Sequence, residues 1–211
     1  MHVVTRADGG ALCFLGDVSG HDSRAAARAE ELQARVRDLA AWMSPGALLS
    51  SLNTTLAATW PPDMFVSAVC LTLDAQRPRT TIAIAGQLPP IVRTPSSVRW
   101  IRMKAGPALG LQAEQRYAES TFVLGADDVL VAVTDGVTDP LATRRDFLGL
   151  AAMARIVHHS WPDSETLCTS LLVAAKRARA ADDATILTVR GPGSGLVARP
   201  PMPRELLRVA G

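Results

Sequence analysis

The order of its predicted elements places this chain in the α+β class. Three observations carry that expectation. The 211 residues are 48% hydrophobic and 20% charged, enough apolar material for one full-sized globular core. The strand-like runs gather in the middle of the chain instead of alternating with helices, which argues against βαβ repeats. The helix-like stretches come in two pairs, one before and one after that middle, so each pair can cover one face of the strand layers. The arrangement that satisfies all three is two stacked β-sheets with helices outside, a four-layer α-β-β-α sandwich.

Asp8-Gly9-Gly10 is a turn signal, and residues 11–16 form an apolar run that ends at Asp17. A Gly/Ser/His loop follows, then a helix over 25–43, in which Leu32, Val36, Leu39 and Met43 recur on one face. Ser44-Pro45 reads as an N-cap with proline at the first helical position. Leu48, Leu49, Leu52 and Leu56 form the apolar stripe of this second helix, which stops before Pro61-Pro62. About six strands come next: 65–73, 80–85, 91–93, a returning 98–101, 117–124 and 129–133. Two helices, over 147–158 and 163–179, precede a last strand over 184–189. Composition then shifts, so residues 1–190 are expected to form the domain and 191–211 a Pro/Gly-rich tail.

Acidic residues stand at three strand ends. Asp17 closes the first run, Asp135 closes 129–133, and Asp182-Asp183 lead into the last strand. If that strand is antiparallel to the other two, its start lies beside their ends and the carboxylates converge. Such a cluster repels itself and calls for a cation. Hard divalent ions such as Mg²⁺ and Mn²⁺ prefer oxygen ligands. Each acid alone has a plainer explanation: Asp135-Gly136 suits an ordinary turn, Asp17 a loop entry, and Asp182-Asp183 the end of a helix.

The run GDVSGHD over Gly16–Asp22, followed by an Ala-rich helix, resembles the GDVSGHG-type motif of the SpoIIE-like branch of metal-dependent protein phosphatases, the phosphatase 2C superfamily. Leu52-Asn53, MFVSA from Met64, AGQLPP from Ala85, GPALGL from Gly106, TDGVTD from Thr134 and DDATILTV from Asp182 resemble further motifs, in the family's order. The resemblance implies the same four-layer sandwich. It also implies hydrolysis of phosphoserine or phosphothreonine on a protein partner, of the anti-sigma-factor-antagonist type, with two Mn²⁺ or Mg²⁺ ions. On that footing Asp17 resembles the acid that bridges the metals, the Val18 carbonyl a backbone ligand, and Asp135 and Asp182 the remaining catalytic carboxylates. Asp183 stands behind Asp182 or in its place; which of the two ligates stays open. His21 is a candidate substrate contact, beside the plainer role of a loop hydrogen bond. The implied chemistry is in-line attack by a metal-activated water, with no covalent phosphoenzyme.

The chain departs from the pattern at its start. The family has an upstream strand with a Gly-Gly-Asp-like segment and one more metal-ligating acid, and Met1 stands where that strand should have ended. Either the start is truncated or the fourth acid is lacking; the second alternative would weaken at least one metal site and leave a sheet edge short of a strand. This sets a second reading beside the first: a phosphatase-fold binding module with weak or no catalysis. Asp22 and Gln87 stand where the family has Gly and His. An upstream sensor domain or a dimer partner would fit either reading.

Other classes fit poorly. A formal net charge of +2 does not argue for nucleic acid, and no apolar run approaches the roughly 18 residues of a membrane span. Cys13, Cys70 and Cys168 lie far apart, without metal-ligand spacing, and the N-terminus lacks a signal-peptide layout, so a cytoplasmic protein is expected. Ser19 has no base-and-orienter pairing for a Ser-His-Asp hydrolase, and no phosphate-binding GxxxxGKS loop is present.

Overall fold

The structure is a computed structural model. It describes residues 2–6, 8–20, 23–142, 149–160, 164–178 and 183–191. The strands, in chain order, are β1 His2–Thr5, β2 Ala11–Val18, β3 Val66–Leu73, β4 Arg79–Ala85, β5 Ile91–Arg93, β6 Val98–Trp100, β7 Ser120–Val123, β8 Val129–Val133 and β9 Ile186–Arg190. The helices are α1 Ser23–Ala40, α2 Pro45–Thr59, the single turn α3 Asp135–Thr138, α4 Leu150–His159 and α5 Ser164–Arg177. Two compact units emerge. Described residues within Met1–Pro89 and Ile101–Val123 form the first, and those within Pro90–Trp100 and Leu124–Gly211 the second.

The first unit is a five-stranded antiparallel sheet in the order β1-β2-β3-β4-β7, carrying α1 and α2. Alternate residues of the strands face the helices. Leu12 and Phe14 of β2, Cys70 of β3 and Ala83 of β4 join Leu32 and Val36 of α1 and the leucine stripe of α2 in one core. Leu48, Leu49 and Leu56 are fully buried, each contributing about 1.5–3 kcal/mol. Ser44 takes the extended N-cap conformation and Pro45 the first turn of α2, although the Ser44 side chain makes no capping hydrogen bond.

The gap that the second alternative would leave at the sheet edge is filled. β1 pairs with β2 from His2–Phe14 to Thr5–Ala11, because β-branched Val3 and Val4 continue the ladder across a tight turn. Gly9 supplies φ +80° there, and the Gly10 N–H donates to Asp8 Oδ1 at 2.9 Å. Arg6 then donates to the Ala40 and Met43 carbonyls at 3.1 and 2.7 Å, tying the end of α1 to this hairpin. A second difference concerns Asp17. The strand does not stop before it: Asp17 and Val18 stay in register opposite Ser67 and Val66, so β2 runs two residues further.

The second unit is a four-stranded antiparallel sheet, β6-β5-β8-β9, carrying α4 and α5. Val129, Val131 and Val133 of β8 pack with Met153 and Val157 of α4 and Leu167 and Leu171 of α5. The last strand begins at Ile186 rather than residue 184, because the residues before it are engaged by Thr134 instead. Among the described residues no helix is long and apolar enough to cross a membrane. Residues 192–211, which hold the expected tail, lie outside the described residues, as do Phe147 and Asp163 at the two predicted helix starts.

Candidate metal centre

In the first unit Asp17 is half-buried near the end of β2, directly opposite Ser67. Strand alternation puts it with Cys13 and Leu15, on the face away from α1 and α2, while Val18 packs against the helix-side core. Beyond Val18 the chain is pinned by a reciprocal pair. The Ser19 N–H donates to the Phe65 carbonyl at 3.0 Å, and the Phe65 N–H donates to Ser19 Oγ at 2.9 Å. Val66, opposite Val18, spends its N–H and its carbonyl on Leu109, at 3.0 and 2.8 Å. The Val18 carbonyl is therefore not claimed by the residue across from it. His21 and Asp22 lie outside the described residues.

In the second unit β8 and β9 are antiparallel with Val133 opposite Ile186, so the end of one lies beside the start of the other, as the strand-end pattern requires. Thr134 is the clasp between them. Its N–H donates to the Thr185 carbonyl at 3.0 Å. Its hydroxyl accepts from the Thr185 N–H at 2.9 Å and donates to the Asp183 carbonyl at 3.3 Å. Thr134 is only 2% exposed, so these bonds are made away from water. Asp135 follows as the first residue of α3. It opens a helical turn rather than the plain β-turn that Asp-Gly suggests, and its exposed carboxylate accepts the Gly136 N–H at 2.9 Å. Asp183 is likewise exposed. Asp182 lies outside the described residues.

The structure thus brings Asp135 and the Asp183 backbone together in one unit and places Asp17 in the other. Among the described residues, no three His, Cys, Asp or Glu side chains gather as a metal-holding group. The donors that are present are carboxylate and carbonyl oxygens, which suit Mg²⁺ or Mn²⁺. Cys13 and Cys70 do not compete as thiolate ligands, because burial pushes the Cys13 thiol up to about 12 and the Cys70 thiol also upward.

Two supporting residues were not legible as such. Ser67 donates from Oγ to Gln87 Oε1 at 2.9 Å, on the strand position facing Asp17. In the sequence Thr134 is only the first residue of TDGVTD. Each lies inside a motif, but a hydrogen bond between distant motifs leaves no mark on spacing.

The family model described as Stage II sporulation protein E (SpoIIE) matches residues 7–192. No curated protein sequence matches the chain. Among solved structures, the RsbU and RsbW domains of Rv1364c from Mycobacterium tuberculosis superpose with TM-score 0.77 at 21% identity, covering 90% of this chain and 55% of that one. The phosphatase 2C domain of SpoIIE from Bacillus subtilis, with a fragment of its regulatory domain, gives 0.76 at 16%, covering 90% and 56%. RsbX in complex with magnesium gives 0.67 at 16%, covering 88% and 83%. The chain therefore spans just over half the length of the first two. The family match over most of the chain and the shared fold lead to one statement: this chain belongs to the SpoIIE family and has the fold of phosphatase 2C-type domains.

Proposed function

We propose that this domain is a Mn²⁺- or Mg²⁺-dependent phosphatase acting on phosphoserine or phosphothreonine of a bacterial regulatory protein. The observation that carries the reading is the Thr134 clasp, which fixes Asp135 beside the lead-in to β9, within a SpoIIE-family chain. Asp17, Asp135 and Asp182 are the carboxylates that would hold the ions, with the Val18 carbonyl as a backbone donor and Asp183 as the alternative to Asp182. RsbX, a structural neighbour, was solved with magnesium, which supports the choice of ion. When bound, the ions supply Lewis-acid polarisation of water and neutralise charge on the phosphoryl oxygens. The chain's own residues orient the carboxylates: the β2–β3 ladder holds Asp17, and the Thr134 clasp ties the backbone just before the Asp135 turn to the lead-in of β9.

Residues 1–190 are the catalytic domain in this reading, with 191–211 a tail, in the cytoplasm. By the family resemblance of its motifs, the proposed substrate is a phosphorylated antagonist of an anti-sigma factor. A sensor domain or a second copy of the chain would govern activity, and His21 would touch the substrate.

The test is phosphate release from phosphoserine, phosphothreonine and phosphotyrosine peptides with added Mn²⁺. The first two should be hydrolysed and the third not, and Asp17→Asn and Asp135→Asn should each lose on the order of 100-fold or more. Turnover that survives both substitutions, or that survives chelation, contradicts the proposal. Mn²⁺ and peptide binding without turnover would instead favour the binding-module reading.

A further inference from the structure

We infer that Gln87 is a positioning residue for Asp17, acting through Ser67, an inference that rests on the proposed metal-holding role of Asp17. Asp17 and Ser67 are direct cross-strand partners, so their side chains leave the same face of the sheet with Cβ atoms about 4.5–5.5 Å apart. Ser67 spends its one hydroxyl hydrogen on Gln87 Oε1. Gln87 is only 8% exposed, and its Nε2 has no hydrogen-bond partner among the described residues. A buried donor left unpaired is costly and asks for an explanation.

Turning the Gln87 amide over supplies one. Nε2 then donates to Ser67 Oγ, which frees the Ser67 hydrogen to point at the Asp17 carboxylate. The two orientations differ little in shape, because the amide oxygen and nitrogen are nearly the same size. In that orientation the position without a partner holds the amide oxygen instead of the N–H donor, an exchange that folded proteins tolerate more readily, and a Gln87–Ser67–Asp17 chain is completed.

The backbone presents Gln87 rigidly. Gly86 has φ +65°, and a Cβ there would lie 2.7–2.9 Å from Ala108. The Gly86 N–H donates to the Gly106 carbonyl at 2.8 Å, and Pro89 and Pro90 follow two residues later. A turn built this firmly fixes which way the Gln87 side chain leaves the backbone. A packing role alone would be served equally well by leucine, which carries no orphan donor.

The experiment is Mn²⁺ titration calorimetry on the full chain, with thermal melting of the metal-free protein alongside. Ser67→Ala and Gln87→Leu should each weaken Mn²⁺ binding about 10-fold, as expected for residues behind a ligand. Because one acts through the other, the double variant should lose no more than either single one. Gln87→His, which keeps an N–H donor, should recover part of the affinity, and metal-free Gln87→Leu should melt no lower than wild type. Wild-type affinity in Gln87→Leu, or losses that multiply to about 100-fold in the double variant, overturns the inference. The Asp17→Asn control separates the two claims. If it abolishes binding while Gln87→Leu does nothing, only the positioning role fails. If it binds like wild type, the metal-holding role of Asp17 fails and the positioning role fails with it.

Discussion

Replacing Asn53 with alanine removes the central tie between α2 and the loop that follows β6. Asn53 is fully buried and uses its whole hydrogen-bonding capacity. Nδ2 donates to the Gln112 and Ala113 carbonyls at 2.7 and 3.2 Å. Oδ1 accepts from the Gly110 N–H at 2.9 Å, and the Tyr117 hydroxyl lies 3.4 Å away with a single hydrogen that it divides between Oδ1 and the Pro107 carbonyl. The four bonds are not equal. Gln112 and Ala113 are exposed, so their carbonyls regain water after truncation. The Tyr117 hydroxyl keeps the Pro107 carbonyl at 2.9 Å. What is lost is two short bonds at about 1 kcal/mol each, plus part of the cost of the half-buried Gly110 N–H, a total of about 2–3 kcal/mol. For a chain of this size that is roughly 5–10 °C in melting temperature. Urea unfolding followed by tryptophan fluorescence reads it as a lower midpoint at unchanged slope. Asn53→Asp should be worse at neutral pH, since an ionised carboxylate has no donor for either carbonyl, and should recover in acid. A loss under about 0.5 kcal/mol for Asn53→Ala, the size of an ordinary surface change, would refute the accounting.

Gly86→Ala combines a left-handed backbone with a Cβ driven into Ala108, and should cost about 2–4 kcal/mol, read as a fall in melting temperature. Burial raises Cys13 from its ordinary 9.0 to about 12 and Tyr117 from 10.0 to about 12. Both folded values lie above the unfolded ones, so this stability is fully present below about pH 9 and is lost as pH climbs toward 12. Urea midpoints should therefore fall between pH 9 and 11, less steeply in Cys13→Ala, and Cys13 should resist thiol reagents until the chain unfolds. Thr134→Val keeps the shape but removes both hydroxyl bonds, so it should cost about 1–2 kcal/mol and weaken Mn²⁺ binding as well. Calorimetry and urea unfolding on the same preparation check both.

The helices and most strands are readable in the sequence because each rests on local periodicity. The stripe Leu48, Leu49, Leu52, Leu56 and the Ser44-Pro45 start mark α2 without any tertiary information. β1 was obscured because a four-residue strand carries little pattern of its own; its existence depends on the partner offered by β2. The extension of β2 through Asp17 has the same cause: the ladder to Ser67 and Val66, not the composition of residues 16–18, keeps the chain extended. Of the proposed ligands, Asp17, Asp135 and the Asp182-Asp183 pair stand out in the sequence only as a combined pattern, since each alone suits a loop entry, a turn or a helix end. Ser67, Gln87 and Thr134 are polar residues whose roles exist only after folding joins segments 20 to 51 residues apart.

The most direct test is Mn²⁺ titration calorimetry of the wild-type chain against Asp17→Asn and Asp135→Asn. Saturable binding that falls on the order of 100-fold or more in each variant, with the metal-free melting temperatures unchanged, is the predicted result. Wild-type affinity in both variants would contradict the metal-holding roles proposed for these two carboxylates.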